Sequence, residues 1–162
     1  MKQISILGAT GSIGQSTIDL IARDKLSYDV VALTGGRNVK QLAADAIALG
    51  ADLAVTCYDE CYLELKEALA GTGIAVAGGD EAVTEAAARK CDWTMSAIVG
   101  AAGLRPGMAA LAHGTTLALA NKESLVTAGP LLLETARQAG TTVLPVDSEH
   151  SAVFQALVGE DL

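Results

Sequence analysis

Strand-like and helix-like segments alternate along this chain from end to end, and that alternation limits its possible folds more than any other feature. Gln3–Leu7 reads as a strand, and Ile13–Ala22 as a helix with Ile13, Thr17, Ile18 and Ile21 on one face. Val30–Leu33 reads as a second strand and Val39–Leu49 as a helix. Leu53–Thr56 is a third strand, followed by a helix over Tyr58–Leu69. A short strand at Ile74–Ala77 leads to a short helix at Glu81–Arg89. Trp93–Val99 is again strand-like, with a helix near Leu104–Ala112. Thr116–Leu119 precedes a helix over Glu123–Gln138 that Gly129-Pro130 interrupts, and Thr142–Val146 is the last clear strand. A chain built this way predicts an α/β fold: a Rossmann-like, doubly wound, mainly parallel sheet with helices on both faces. No shift of composition marks a linker, and no segment repeats.

Composition narrows the functional classes. With 162 residues, 51% of them hydrophobic, the chain can bury a core, and its length favours one domain. The net charge of −8, with only 11 basic residues, argues against a nucleic-acid or anionic-membrane partner. Cys57, Cys61 and Cys91 match no zinc or redox spacing, and their odd number suits a reducing compartment. No apolar run reaches membrane-spanning length. A first strand starting near Gln3 leaves no room for a targeting segment, so a soluble cytoplasmic protein is expected.

Gly8-Ala9-Thr10-Gly11-Ser12-Ile13-Gly14 follows the first strand and opens the first helix, the context a dinucleotide fingerprint requires. Glycines let the backbone turn tightly and approach a pyrophosphate. The helix start offers amide N–H groups and a positive dipole end, and Thr10 and Ser12 add hydroxyl donors. The spacing is Gly-x-x-Gly-x-x-Gly. The end of the second strand selects the nucleotide. An NAD site would place an Asp or Glu there for the ribose 2′-hydroxyl. The sequence instead reads Thr34-Gly35-Gly36-Arg37-Asn38, and the planar fork of Arg37 suits a 2′-phosphate, which favours NADP. A solvated arginine beside a glycine turn is the competing reading.

Two further segments carry chemistry. Ala120-Asn121-Lys122-Glu123-Ser124 follows the strand Thr116–Leu119, at the sheet edge where such folds bind ligands. Asn121 can hydrogen-bond a nicotinamide ribose or amide, Lys122 can face a substrate oxygen, and Glu123 can accept from ribose hydroxyls. A capped helix start explains the same residues. In Pro145-Val146-Asp147-Ser148-Glu149-His150, Asp147 and Glu149 stand at i and i+2 of an extended segment, so both carboxylates can converge on one point. Two hard oxygen donors suit Mg²⁺ or Mn²⁺. Alternatively, Asp147 or Ser148 caps a following helix whose apolar residues are Val153, Phe154, Leu157 and Val158.

Taken together, Gly8–Gly14, Gly35–Asn38, Ala97-Ile98-Val99-Gly100-Ala101-Ala102-Gly103-Leu104, Leu119–Val126 and Val146–Gln155 closely resemble the 1-deoxy-D-xylulose 5-phosphate reductoisomerase family, in its order and spacing over the whole chain. The resemblance implies NADPH-dependent conversion of the ketose phosphate to 2-C-methyl-D-erythritol 4-phosphate in non-mevalonate isoprenoid synthesis. It implies that Thr10, Gly11, Ser12, Ile13, Gly36, Arg37, Asn38, Asn121 and Glu123 contact the cofactor. Lys122, Ser148 and Glu149 would contact the substrate, Asp147 and Glu149 would bind the metal, and Lys122, Asp147 and Glu149 would carry the catalysis. Ala97–Leu104 would line the nicotinamide end of the groove. A homodimer is implied for the full-length enzyme.

Family members run to more than twice this length. The implied organisation is an NADPH-binding domain over residues 1–146 and the start of a catalytic, metal-binding domain over 147–162. On that reading the chain by itself holds cofactor but lacks the rest of the metal shell, the phosphate-binding residues and the lid, and turnover is not expected. Three rival readings remain. A nucleotide-sensing Rossmann domain would have no use for Lys122 or the Asp147/Glu149 pair. A short-chain dehydrogenase is suggested by Tyr62-x-x-x-Lys66, which falls too early in the chain. A semialdehyde dehydrogenase needs a nucleophilic cysteine near the nicotinamide, and all three cysteines precede Asn121.

Overall fold

The computed structural model describes residues 1–146. Among them, seven strands form one sheet: β1 (Lys2–Leu7), β2 (Tyr28–Gly35), β3 (Leu53–Thr56), β4 (Ala75–Gly78), β5 (Trp93–Ser96), β6 (Thr116–Leu119) and β7 (Thr142–Pro145). Every pairing is parallel, in the order β4-β3-β2-β1-β5-β6-β7. The α-helices are α1 (Ser12–Arg23), α2 (Val39–Leu49), α3 (Tyr62–Ala68), α4 (Asp80–Ala87), α5 (Leu104–Ala110) and α6 (Lys122–Ala139). The expected Rossmann-like, doubly wound architecture is the one observed. No helix among the described residues is long and apolar enough to cross a membrane.

Strand order positions the site. From β1 the chain steps outward through β2 and β3 to β4, then returns to the other side of β1 at β5 and steps outward again. The loops leaving β1 and β5 therefore diverge, and a crevice opens between them at the C-terminal edge of the sheet. Parallel strands need covering on both faces, and the apolar residues divide accordingly. Ile4, Ile6, Val30 and Leu33 pack against Ile18 and Ile21 of α1, Leu42 and Ala46 of α2, and Leu65 of α3. On the opposite face, Leu7, Leu117 and Leu119 meet Ala87, Ala110, Leu132 and Ala136, while Ala32, Leu53 and Val55 meet Val83 and Ala86. Each fully buried Leu or Ile contributes about 1.5–3 kcal/mol relative to exposure.

Several boundaries differ from the sequence expectation for identifiable reasons. Val30 and Leu33 share a face, three residues apart, because the β1–β2 register slips: Ile4 pairs with Val30 but Ser5 with Ala32. β5 ends at Ser96 rather than Val99, because the following carbonyls of Ile98 and Gly100 accept from the Asn121 side chain. Asp59–Cys61 forms a 3₁₀ turn before α3. The buried face of α1 is Gly14, Thr17, Ile18 and Ile21; Ile13, expected on it, is 37% exposed at the helix start. α6 bends at Ala128 (φ −141°, ψ 26°), since Pro130 has no N–H for the carbonyl four residues back. The helical segment expected near Leu104–Ala112 closes with a 3₁₀ turn at Leu111–His113, before Gly114.

Candidate functional site

The three glycines of the β1–α1 loop do different work. Gly8 has φ +84°, and a Cβ there would stand 2.7 Å from the backbone C and O of Ala97. Gly14 lets α1 lie on the loop, because a Cβ would strike the carbonyl oxygens of Gly8 and Ala9. Gly11 has no such duty. Its φ is −81°, and the nearest atom to a built Cβ is the Gly8 oxygen at 3.4 Å. No side chain caps α1, so the first amides of the helix are not used by a side-chain acceptor. The loop itself is held firmly: Ala9 N–H donates to Thr34 O (2.7 Å), and Gly8 N–H to Thr34 Oγ1 (3.1 Å). Buried Asp45 of α2 accepts from Gln15 Nε2 (2.6 Å) and Gln41 Nε2 (2.9 Å), and Gln15 also donates to Ala9 O (3.0 Å).

At the tip of β2, Thr56 Oγ1 donates to Gly36 O (3.0 Å) and Cys57 N–H to Gly35 O (2.9 Å). Asn38 caps α2, its Oδ1 accepting from Gln41 N–H at 3.3 Å. Arg37 lies over the ring of Tyr58, 3.9 Å from its centroid, and pairs with Glu60 at 2.8 Å. The strand tip carries no acid of its own, as the sequence indicated, but the fold delivers one from the segment after β3.

A cleft of about 550 Å³ runs along this edge, a typical volume for a small-molecule site. Gly8, Gly11, Thr34, Gly35 and Gly36 line one side, and Ala97, Ile98, Val99, Ala101 and Ala102 line another. These are residues the sequence singled out. The cleft also recruits Cys57, Tyr58, Asp80, Val83, Thr84 and Arg105, which sequence reasoning passed over. Their signal was position: each follows a parallel strand or sits on α4 or α5 across the crevice. Thr10, Ser12, Ile13, Arg37 and Asn38 flank this cleft along the chain without lining it.

Asn121, 2% exposed, caps α6 by accepting from Ser124 N–H (2.9 Å), and its Nδ2 donates to Ile98 O and Gly100 O. Both amide hydrogens are thus engaged by the loop that walls the cleft. Gly103 makes room for this, since a Cβ there would collide with Asn121 Nδ2. Lys122 and Glu123 are exposed, and neither forms a salt bridge among the described residues. Asp147, Ser148, Glu149 and His150 lie outside the described residues, as does the helix expected after them. Among the described residues no group of three or more His, Cys, Asp or Glu side chains could hold a metal ion. The Tyr62/Lys66 pair sits on α3 with the ammonium 5.7 Å from the ring centroid, and neither residue lines the cleft.

Cys57 is the half-buried thiol of the three, Cys61 and Cys91 being buried. Burial, and next the nearby Asp80 carboxylate, raise its pKa above the ordinary thiol value. Maleimide labelling at pH 7 should therefore be slow and accelerate as pH rises through a midpoint above that of a free cysteine. Asp80→Asn should speed labelling at fixed pH, and a ligand in the cleft should slow it. Mass spectrometry of the labelled peptide checks both.

This sheet order, with a glycine-lined cleft at the point where strand order reverses, defines a Rossmann-like α/β domain. The profile of the 1-deoxy-D-xylulose 5-phosphate reductoisomerase family matches residues 4–129. The chain belongs to that family. The 1-deoxy-D-xylulose 5-phosphate reductoisomerase of Jannaschia sp. (strain CCS1) is 68% identical over 161 residues, covering 99% of this chain and 41% of the relative. The enzyme from Zymomonas mobilis, solved in complex with NADPH, superposes with a TM-score of 0.94 at 54% identity, over 95% of this chain and 41% of that one. A reductoisomerase solved with NADPH, fosmidomycin and magnesium gives 0.91 at 40% identity, over 99% and 41%. The chain thus spans about two fifths of the length of the relatives it matches.

Proposed function

We propose that this chain is the NADPH-binding part of a 1-deoxy-D-xylulose 5-phosphate reductoisomerase, which converts that ketose phosphate to 2-C-methyl-D-erythritol 4-phosphate. The observation that carries the reading is the uncapped start of α1 at Gly11, opening on a cleft that is also lined by Gly35 and Gly36, just before Arg37, and by Tyr58, on which Arg37 lies. Residues 1–146 form the cofactor domain, and 147–162 begin the catalytic one. The amides of Ser12 and Ile13 and the hydroxyls of Thr10 and Ser12 hold the pyrophosphate beside Gly11. Gly36 admits the adenosine ribose, Arg37 pairs with its 2′-phosphate, and Asn38 borders that subsite while capping α2.

At the other end, Asn121 fixes the Ile98–Gly100 wall against which the nicotinamide lies, and Glu123 accepts from ribose hydroxyls. Lys122, Ser148 and Glu149 face the substrate, with the Lys122 ammonium stabilising negative charge on its oxygens. Asp147 and Glu149 are two hard oxygen donors suited to Mg²⁺ or Mn²⁺, which when bound supplies Lewis-acid stabilisation. NADPH supplies the hydride, and the protein holds the reacting groups in line. The partners are a small phosphorylated substrate and, in the full-length enzyme, a second copy; the location is the cytoplasm.

Calorimetric titration tests the nucleotide assignment. NADPH should bind more tightly than NADH, and Arg37→Ala should narrow the difference. Equal affinities would defeat the NADP preference, and no binding of either would defeat the site.

A further inference from the structure

Arg37 is the cation that the proposed 2′-phosphate subsite depends on, and the fold does not leave it alone. One face of its guanidinium lies on Tyr58, 3.9 Å from the ring centroid, and Nη1 is 2.8 Å from Glu60 Oε1. Both partners come from the four residues after β3, brought to the β2 tip because β2 and β3 are neighbours and Cys57 N–H is tied to Gly35 O. The two contacts differ in kind. Tyr58 touches the flat face, which fixes the plane of the fork without consuming an N–H group. Glu60 takes a position that an incoming oxyanion would need, and it carries the same sign of charge.

We propose that Glu60 is a built-in competitor for the 2′-phosphate: it neutralises Arg37 until the phosphate displaces it, and so holds down the preference for NADPH over NADH. Tyr58 is the positioning residue that keeps the guanidinium plane in place in both states. The ion pair favours the charged forms of both partners: it is the leading cause raising the arginine pKa, and it lowers the glutamate pKa after a backbone hydrogen bond. In the free protein the Glu60 carboxylate substitutes for the acid that β2 lacks. With NADH it need not move, because a 2′-hydroxyl can donate to it. With NADPH the phosphate must share the guanidinium with a carboxylate or push it aside.

This inference rests on the dinucleotide reading of the cleft, and the experiment separates the two. NADPH and NADH are titrated into the chain and into Glu60→Gln, at low and high salt. The pair is exposed and screened by solvent, so the effect is modest: Glu60→Gln should tighten NADPH by up to roughly fivefold at low salt. NADH should not tighten, so the NADPH:NADH ratio rises, and high salt should shrink that rise. Tyr58→Leu should weaken NADPH more than NADH, so the NADPH:NADH ratio falls, because only the 2′-phosphate depends on the guanidinium that the ring holds. If Glu60→Gln leaves the ratio unchanged, or weakens NADPH, Glu60 is not a competitor and the proposal fails while the cleft assignment stands. If the unaltered chain binds neither nucleotide, the cleft assignment fails and takes this inference with it.

Discussion

Gly11→Val should weaken the proposed NADPH binding severely and leave the chain folded. A Cβ at Gly11 meets only the Gly8 oxygen at 3.4 Å, and φ is −81°, so a valine fits the backbone without strain. The added methyls project over the helix start, where the pyrophosphate would lie against the backbone. Hydrogen bonds to a charged group are worth about 1.5–3 kcal/mol each, so displacing two weakens NADPH by roughly 100-fold or more. The neighbouring glycines should behave oppositely. At Gly14 a Cβ strikes the Gly8 and Ala9 carbonyls, and at Gly8 it meets Ala97 backbone at 2.7 Å with φ at +84°. Overpacking against backbone costs about 1–3 kcal/mol, and more where the backbone cannot retreat. Gly14→Val should therefore lower the thermal midpoint well below that of Gly11→Val. Titration with NADPH beside thermal unfolding reads both; native-like affinity in Gly11→Val would remove the pyrophosphate from this loop.

Asn121→Ala should cost more stability than a helix cap alone. The side chain makes three hydrogen bonds at 2% exposure, one capping α6 and two holding the carbonyls of Ile98 and Gly100. A lost cap costs about 1 kcal/mol, and the part-buried carbonyls left without donors about 1–3 kcal/mol more. The sum of about 2–4 kcal/mol predicts a fall in thermal midpoint of roughly 4–16 °C for a domain of this size. Asn121→Asp provides the control. It can still accept from Ser124 N–H, but its carboxylate faces two carbonyl oxygens instead of donating to them. It should be destabilised at neutral pH despite keeping the cap. A loss of only cap size in Asn121→Ala, with Asn121→Asp near normal, would show that the Ile98–Gly100 loop does not need this amide.

Much of the architecture could be read before the fold was known. Periodicity separated strands from helices, and Gly129-Pro130 announced the bend in α6 within two residues of Ala128. Boundaries were less legible wherever a distant side chain sets them. β5 stops at Ser96 because of an amide 25 residues further on, which local propensity does not contain. Ile13 matched the helical period of the core face, yet Gly14 took that place because the helix start presses on the loop beneath it.

By itself the sequence determined the class of fold, the position of the glycine loop at the first strand-to-helix junction, and the family that its motifs resemble. Those are local matters: apolar period, turn chemistry and residue spacing act within about ten neighbours. Only the tertiary structure decided which of the loop glycines the packing of the backbone requires, Gly8 and Gly14, and which it does not, Gly11. It alone brought Tyr58 and Glu60 to Arg37, and Asn121 to the loop after β5. Parallel strands lie side by side while their connections run through whole helices, so the residues meeting at one sheet edge are twenty or more positions apart. Which of them touch is fixed by strand order and register, and no local pattern in the chain encodes that.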